Sequence, residues 1–155
     1  MSRRQAREVA LQALFQLDLN HADVPEQEMM YETLAIDAAL SECRKLHEKD
    51  RAFIESLVHG TRKNLIAIDA RIADTSREWK IERMATVDRN LIRMALYEML
   101  FSDMELKPNI AINEAVELAK KYGTDDSARY VNGILGAVLK ALIYGNARRR
   151  SGFFF

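Results

Sequence analysis

Along almost the whole chain the apolar residues recur at intervals of three and four, and strand-like alternation with a period of two never persists beyond a few residues. Spacing of this kind gathers apolar side chains on one face of a helix, and successive segments of it bury those faces by packing helix against helix. At 155 residues, 48% hydrophobic and 30% charged, the chain is long enough to build one real core, and nothing in it divides into two domains. The expected architecture is all-α: a single compact bundle of about six or seven helices over residues 1–145, followed by a flexible basic and aromatic tail at 146–155.

Taken in order, Ser2 and Gln5 form an S-x-x-Q capping box. It starts a first helix striped by Ala6, Val9, Ala10, Ala13, Leu14 and Leu17, with Leu11 and Phe15 also expected in the core. Pro25, followed by Glu26 and Glu28, suits the first turn of a second helix reaching Leu40, to which Met29, Met30, Leu34, Ile36, Ala39 and Leu40 contribute apolar surface. A break is expected between Cys43 and Glu48. From Asp50 another helix carries Phe53, Ile54, Leu57 and Val58, and Gly60 marks a bend or a close packing contact before Leu65, Ile68, Ile72 and Ala73 resume the pattern. Thr86 is the expected N-cap of a helix from Val87 to Phe101 that turns Leu91, Met94, Ala95 and Leu100 inward, at the centre of the bundle. Trp79, between apolar neighbours, reads as a lid on the core, with a base-stacking platform as the alternative.

The 23 basic and 23 acidic side chains cancel, but they are unevenly placed. Arg3, Arg4 and Arg7 face only Glu8 in the first ten residues, and Arg148, Arg149 and Arg150 stand unopposed. The overall basicity of a protein that coats nucleic acid is lacking, yet a local basic patch is enough to attract a phosphate backbone. Arg3 and Arg7 are one helical turn apart with Arg4 beside them, so their guanidinium groups are expected to converge on phosphates or stack on bases. A solvated first turn is the alternative, although cations there oppose the helix dipole.

Other chemistries find little support. A single Cys43 cannot form an internal disulfide or a cysteine-rich zinc site, and His21, His47 and His59 lack the spacing to share a metal. There is no GxxxxGK[ST] loop and no strand-linked GxGxxG, so no catalytic role, metal or cofactor is expected. The apolar runs fall far short of the roughly 20 residues that cross a bilayer, and no secretory pattern is present, so a cytoplasmic location away from membranes is expected.

The stretch PNIAINEAVELAKKYGTDDSARYVNGILGAVL, from Pro108 to Leu139, reads as two helices and a tight corner. Ile112, Ala115, Val116 and Ala119 share one face of the first, opposite Glu114, Glu117, Lys120 and Lys121. Gly123 is expected to end that helix in the left-handed conformation, with Thr124 or Asp125 capping the next from about Asp126. Val131, Ile134, Leu135, Val138 and Leu139 stripe the second helix, where Gly133 and Gly136, each costing about 1 kcal/mol relative to alanine, suggest close helix packing. Around the corner Lys120, Lys121 and Arg129 offer phosphate contacts, Tyr122 and Tyr130 stacking surfaces, and Asp125, Asp126 and Ser127 groups that read base edges. Such a set suits single-stranded RNA, whose unpaired bases expose their faces and edges. On the residues alone, a capped helix hairpin accounts for the same pattern.

INEAVELAKKYG, the acidic, serine-bearing corner and RYVNGIL together resemble the signature of the NusB family of bacterial transcription antitermination factors. RQAREVALQALFQLDL resembles the family's first helix, and Trp79 followed by VDRNLIRMALYEML its central one, so four ordered blocks span residues 3 to 142. The resemblance implies a factor that binds the boxA element of nascent ribosomal RNA leaders with the small-subunit ribosomal protein called NusE, and so helps modify RNA polymerase. Carried onto this chain, the RNA-facing positions are Arg3, Arg4 and Arg7 with Tyr122, Gly123, Asp126, Ser127 and Tyr130. The protein partner meets the start of the central helix at Asp88 and, as the weaker candidate, Arg89; a plain first-turn acid is the other role open to Asp88.

Some features depart from the family's pattern. Tyr122 and Tyr130 stand where phenylalanine is frequent, which keeps the stacking surface and adds hydroxyls, and NARRRSGFFF at 146–155 has no counterpart in it. That tail is a candidate for extending the RNA footprint or for self-association, and the family also includes homodimers. Two other classes fit parts of the chain. One is the helical domain that precedes certain ribosomal RNA cytosine methyltransferases, although this chain has neither room for a catalytic domain nor a methyl-donor motif. The other is a helix-turn-helix DNA-binding regulator, whose second helix should present polar groups to a groove, whereas ILGAVLKAL is core-like.

Overall fold

A computed structural model describes residues 1–150 except 44, 76, 77, 104 and 105, and of 146–150 the backbone alone. The described residues form seven α-helices and two 3-10 turns, with no strand among them. The first helix, α1 (Arg3–Leu19), begins at the capping box: Gln5 N–H donates to Ser2 Oγ at 3.1 Å and Ser2 N–H to Gln5 Oε1 at 2.8 Å. A 3-10 turn at Pro25–Gln27 leads into α2 (Glu28–Leu40). After the expected break come α3 (Glu48–Lys63) and α4 (Leu65–Thr75), then a 3-10 turn at Ile81–Arg83 and α5 (Thr86–Leu100). The corner joins α6 (Pro108–Tyr122) to α7 (Ser127–Arg150).

The helix α5 is the axis. It packs against α1 and α3 on one side and against α4, α6 and α7 on the other, while α1, α2 and α3 pack on one another. Every residue from Asn90 to Glu98 is buried, including three polar ones, and each of those has a partner from another helix. Glu98 takes a bidentate pair from Arg7, with Nε and Nη2 both at 2.8 Å. Arg93 donates to both oxygens of Asp69 at 2.9 and 2.8 Å, and Asn90 to Asp18 at 3.0 Å. Buried charges are tolerated where the partner neutralises and hydrogen-bonds them, so these contacts fix which helices may surround α5.

Several expectations change. Phe15 is 38% exposed rather than in the core, because it shares a flank of α1 with Glu8 and Gln12 instead of the stripe that ends in Leu14 and Leu17. On α2, Ile36, Ala39 and Leu40 are buried, while Met29, Met30 and Leu34 face solvent. Thr86 is the first helical residue of α5, not its cap; Ala85 precedes it without a side-chain hydrogen bond. The helix α3 runs through Gly60 unbroken, and the reason for glycine is contact: a Cβ there would fall on the Tyr97 ring. Gly133 and Gly136 show the opposite, since a Cβ at either would meet nothing within 4 Å, and close packing does not explain them. Trp79 is half-buried against the core, as a lid would be. The backbone of α7 continues to Arg150, taking in the first half of the expected tail, and 151–155 lie outside the described residues.

Candidate nucleic-acid interface

The corner is built by one serine. Thr124 N–H donates to Ser127 Oγ at 2.9 Å, Ser127 N–H donates to the Thr124 carbonyl at 3.1 Å, and the two hydroxyls lie 3.2 Å apart. Ser127 is fully buried in this latch, which removes it from the groups expected to read a base. Gly123 is likewise not left-handed: its φ of −94° and ψ of −167° are ordinary extended backbone. Glycine is required there because a Cβ would collide with the Ser127 side chain and lie 2.8 Å from the Ala119 carbonyl. The latch leaves Asp125, Asp126 and Arg129 exposed and Tyr130 half-buried on the far side of the turn, with Lys120, Lys121 and the 45% exposed Tyr122 on the near side.

The three arginines of α1 do not form one patch: Arg3 and Arg7 both approach Phe53 of α3, and Arg4 turns toward α6. Arg3 is exposed and lays its guanidinium 4.1 Å above the Phe53 ring of α3. Arg4 crosses the other way, to α6, donating from Nε and Nη2 to Glu114 at 2.9 and 3.1 Å. Arg7 is buried, its charge consumed by Glu98 and its guanidinium 5.4 Å from Phe53, so it is a core ion pair and not an RNA-facing residue. Beside Arg4, Lys121 donates to Glu8 at 2.8 Å, and Lys120 to Glu117 at 3.1 Å. The hydrogen bond from Arg4 holds the Glu114 carboxyl below its usual range, and Glu8, then Tyr122, push the Lys121 ammonium up.

A shallow cleft of about 310 Å³ lies between the start of α5 and the corner, bordered by Arg83, Asp88, Asp126 and Tyr130. Asp88 is buried, and its Oδ1 has no hydrogen-bond partner among the described residues. Burial, and then the Asp88 charge, raise the Tyr130 phenol above its ordinary value, so the hydroxyl is a donor at neutral pH. Arg89 is not available to a partner as expected. It donates to Asp18 at 2.8 Å and to the carbonyls of Ile81 and Met84 at 3.1 and 3.3 Å, tying the 3-10 turn that carries Arg83 to the cleft. A larger groove of about 650 Å³ opens on the other side of the start of α5, where Val87, Phe15, Leu11, Cys43 and Tyr122 meet.

Two of these residues escape a reading by sequence. Arg83 precedes α5 in a stretch with no helical period, so only the fold brings it to Asp126. Phe15 carried a signal in its register with the polar Glu8 and Gln12, which outweighs its apolar character.

A model of the NusB family matches residues 4–140. The chain is 48% identical to the "Transcription antitermination protein NusB" of Pelotomaculum thermopropionicum over 91% of each chain. It is 46% identical to the protein of the same name from Bdellovibrio bacteriovorus, over 90% of this chain and 96% of that one. In fold it is similar to T. maritima NusB, with a TM-score of 0.77 and 31% identity over 90% of this chain and 92% of that chain. At 24% identity it also shares the fold of a chain in "Crystal Structure of Antitermination Factors NusB and NusE in complex with dsRNA", with a TM-score of 0.76 over 90% and 96% of the two chains. With a family pattern that runs from α1 into α7 and relatives close to half identical along nine tenths of its length, the chain belongs to the NusB family.

Proposed function

We propose that this protein is a transcription antitermination factor that binds single-stranded boxA RNA of ribosomal RNA leaders together with NusE, and that the pair helps RNA polymerase resist termination. The observation that carries the reading is the cleft at the corner, where the phenol face of Tyr130, the exposed Asp126 and the Arg83 guanidinium border a space that suits one splayed-out base. Lys120, Lys121 and Arg129 stand exposed on the two corner helices and Arg4 on the adjoining α1 as cations for the sugar-phosphate backbone, while the exposed Tyr122 borders the neighbouring groove. The protein partner is assigned to the start of α5. The groove at Val87 and Phe15 supplies the apolar surface, while Asp88, expected to meet the partner, instead borders the cleft with Tyr130, and Arg89 positions the 3-10 turn rather than touching the partner. Membership of the family supports the antitermination role, and the structure of one relative in fold is named for NusB and NusE in complex with double-stranded RNA.

The test is binding to a boxA-containing single-stranded RNA, with and without purified NusE, against a scrambled RNA and a duplex DNA of equal length. Selective binding to boxA that tightens with NusE is the expected result. Equal affinity for all three nucleic acids, with NusE ignored, would dismiss the reading.

A further inference from the structure

Two exposed cations bridge the seam between α1 and α6, each with a less exposed carboxylate behind it, and a third is paired along α6. Arg4 rests on Glu114, Lys121 on Glu8 and Lys120 on Glu117. The Arg4 and Lys121 side chains are 52% and 59% exposed, whereas Glu114 and Glu8 are 20% and 21% exposed. Glu114 and Glu8 therefore form an inner row and their cations an outer one, while Glu117, itself 43% exposed, neutralises Lys120 from one turn away on α6. Exposed ion pairs of this kind add little to stability, so the fold alone gives no strong reason for three of them in one strip.

Their electrostatic effect is larger. Three positive and three negative charges cancel, so at distances beyond the screening length of about 8–10 Å the strip exerts almost no pull on a polyanion. At contact distance the cations remain usable. Arg4 spends Nε and one hydrogen of Nη2 on Glu114 and keeps its Nη1 group, and Lys121 spends one of three N–H bonds on Glu8. A phosphate seated against the strip gains hydrogen bonds, whereas a strand passing at a distance gains nothing.

We propose that Glu8, Glu114 and Glu117 are specificity-determining residues of this face: they cancel the long-range field of Arg4, Lys121 and Lys120, so that a strand is held only where base contacts at the α6–α7 corner add to short-range phosphate contacts. The proposal rests on the RNA-binding reading above and adds to it a reason for discrimination against other polyanions. Removing the inner row converts a selective face into an indiscriminate one.

The experiment compares the unaltered chain, the Glu8→Gln/Glu114→Gln variant, and a charge-matched control, Glu26→Gln/Glu28→Gln, altered on the exposed 3-10 turn and the first residue of α2. Circular dichroism melts confirm that each is folded, and Glu117→Gln serves as a second, milder variant of the strip. Affinity for scrambled single-stranded RNA and for boxA RNA is measured as a function of salt, with elution from heparin as a probe that contains no bases. For the seam variant, affinity for scrambled RNA should rise about tenfold and its log–log salt slope steepen by up to about 1.4, two phosphate contacts at about 0.7 each. Elution from heparin should move to higher salt, and the ratio of boxA to scrambled affinity should fall, while the control changes none of these. A seam variant that matches the control, or that loses affinity for both RNAs, overturns the proposal. The heparin arm separates the two readings: later elution with no boxA preference in any of the proteins keeps the shielding and dismisses the boxA assignment, and unchanged elution with preserved boxA preference does the reverse.

Discussion

Arg7 illustrates how a single side chain changes meaning once its surroundings are known. In sequence it is one of three neighbouring cations; in the fold it spans from α1 to Glu98 on α5 and is out of reach of solvent. Removing it leaves an uncompensated buried carboxylate, so Arg7→Ala should destabilise the protein by about 3–5 kcal/mol. In a melt that corresponds to a fall in Tm of about 6–20 °C for a domain of this size, and Arg7→Met combined with Glu98→Leu should recover most of it. Gly60 makes a comparable point with a smaller atom count, since Gly60→Ala forces Tyr97 from its place against α3 and should cost about 1–3 kcal/mol in denaturant unfolding. At the corner, Tyr130 is held as a phenol first by burial and then by the Asp88 carboxylate. Its ultraviolet titration should lie above the ordinary tyrosine value of about 10, and Asp88→Asn, which removes one of the two causes, should bring it part of the way back. Replacing Tyr130 by alanine should weaken boxA binding by about 1–3 kcal/mol while Tyr130→Phe retains most of it, because stacking requires the ring and not the hydroxyl.

Among the elements, α1 and α6 are joined at the surface by charge, and that link has a defined dependence on pH. The Glu114 carboxyl is held below the usual range chiefly by its hydrogen bond from Arg4. A carboxyl depressed in the folded state contributes stability that is present above its unfolded pKa and is lost as pH falls through the lower, folded value. The seam should therefore stay closed at pH 5 and loosen only below the ordinary glutamate range of about 4.3, and Arg4→Ala should return the Glu114 titration, followed by carboxyl NMR, toward that range. Helices of this kind were open to prediction because their determinants are local: a capping box at Ser2, a proline at 108 and apolar spacing along α5 are each visible within a few residues. The site was less legible, because its determinants are not local. Arg7 meets an acid 91 positions away and Arg4 one 110 positions away, and no periodicity encodes such partners. Ser127 and Gly123 were visible as corner residues, but their true roles as latch and clearance depend on backbone angles that glycine and serine leave open. Gly133 and Gly136 have no structural explanation among the described residues.

At the scale of the whole molecule, α5 belongs to both halves of the bundle, which makes independent unfolding of the α1–α3 half implausible on packing grounds. Heat or denaturant should give one transition by both far-ultraviolet circular dichroism and tryptophan fluorescence, since Trp79 packs on the same core. The same helix also places two successive residues on different openings: Val87 borders the apolar groove and Asp88 the cleft with Tyr130. If the groove takes the protein partner and the cleft takes a base, then neither ligand binds without bearing on the same helical turn. The thermodynamic cycle that follows is closed, so whatever factor NusE adds to RNA affinity, RNA must add to NusE affinity, with a coupling of about 1–3 kcal/mol typical of such linkage. Two calorimetric titrations run in opposite order would measure both legs, and the start of α5 then acts as the common term through which one occupant senses the other.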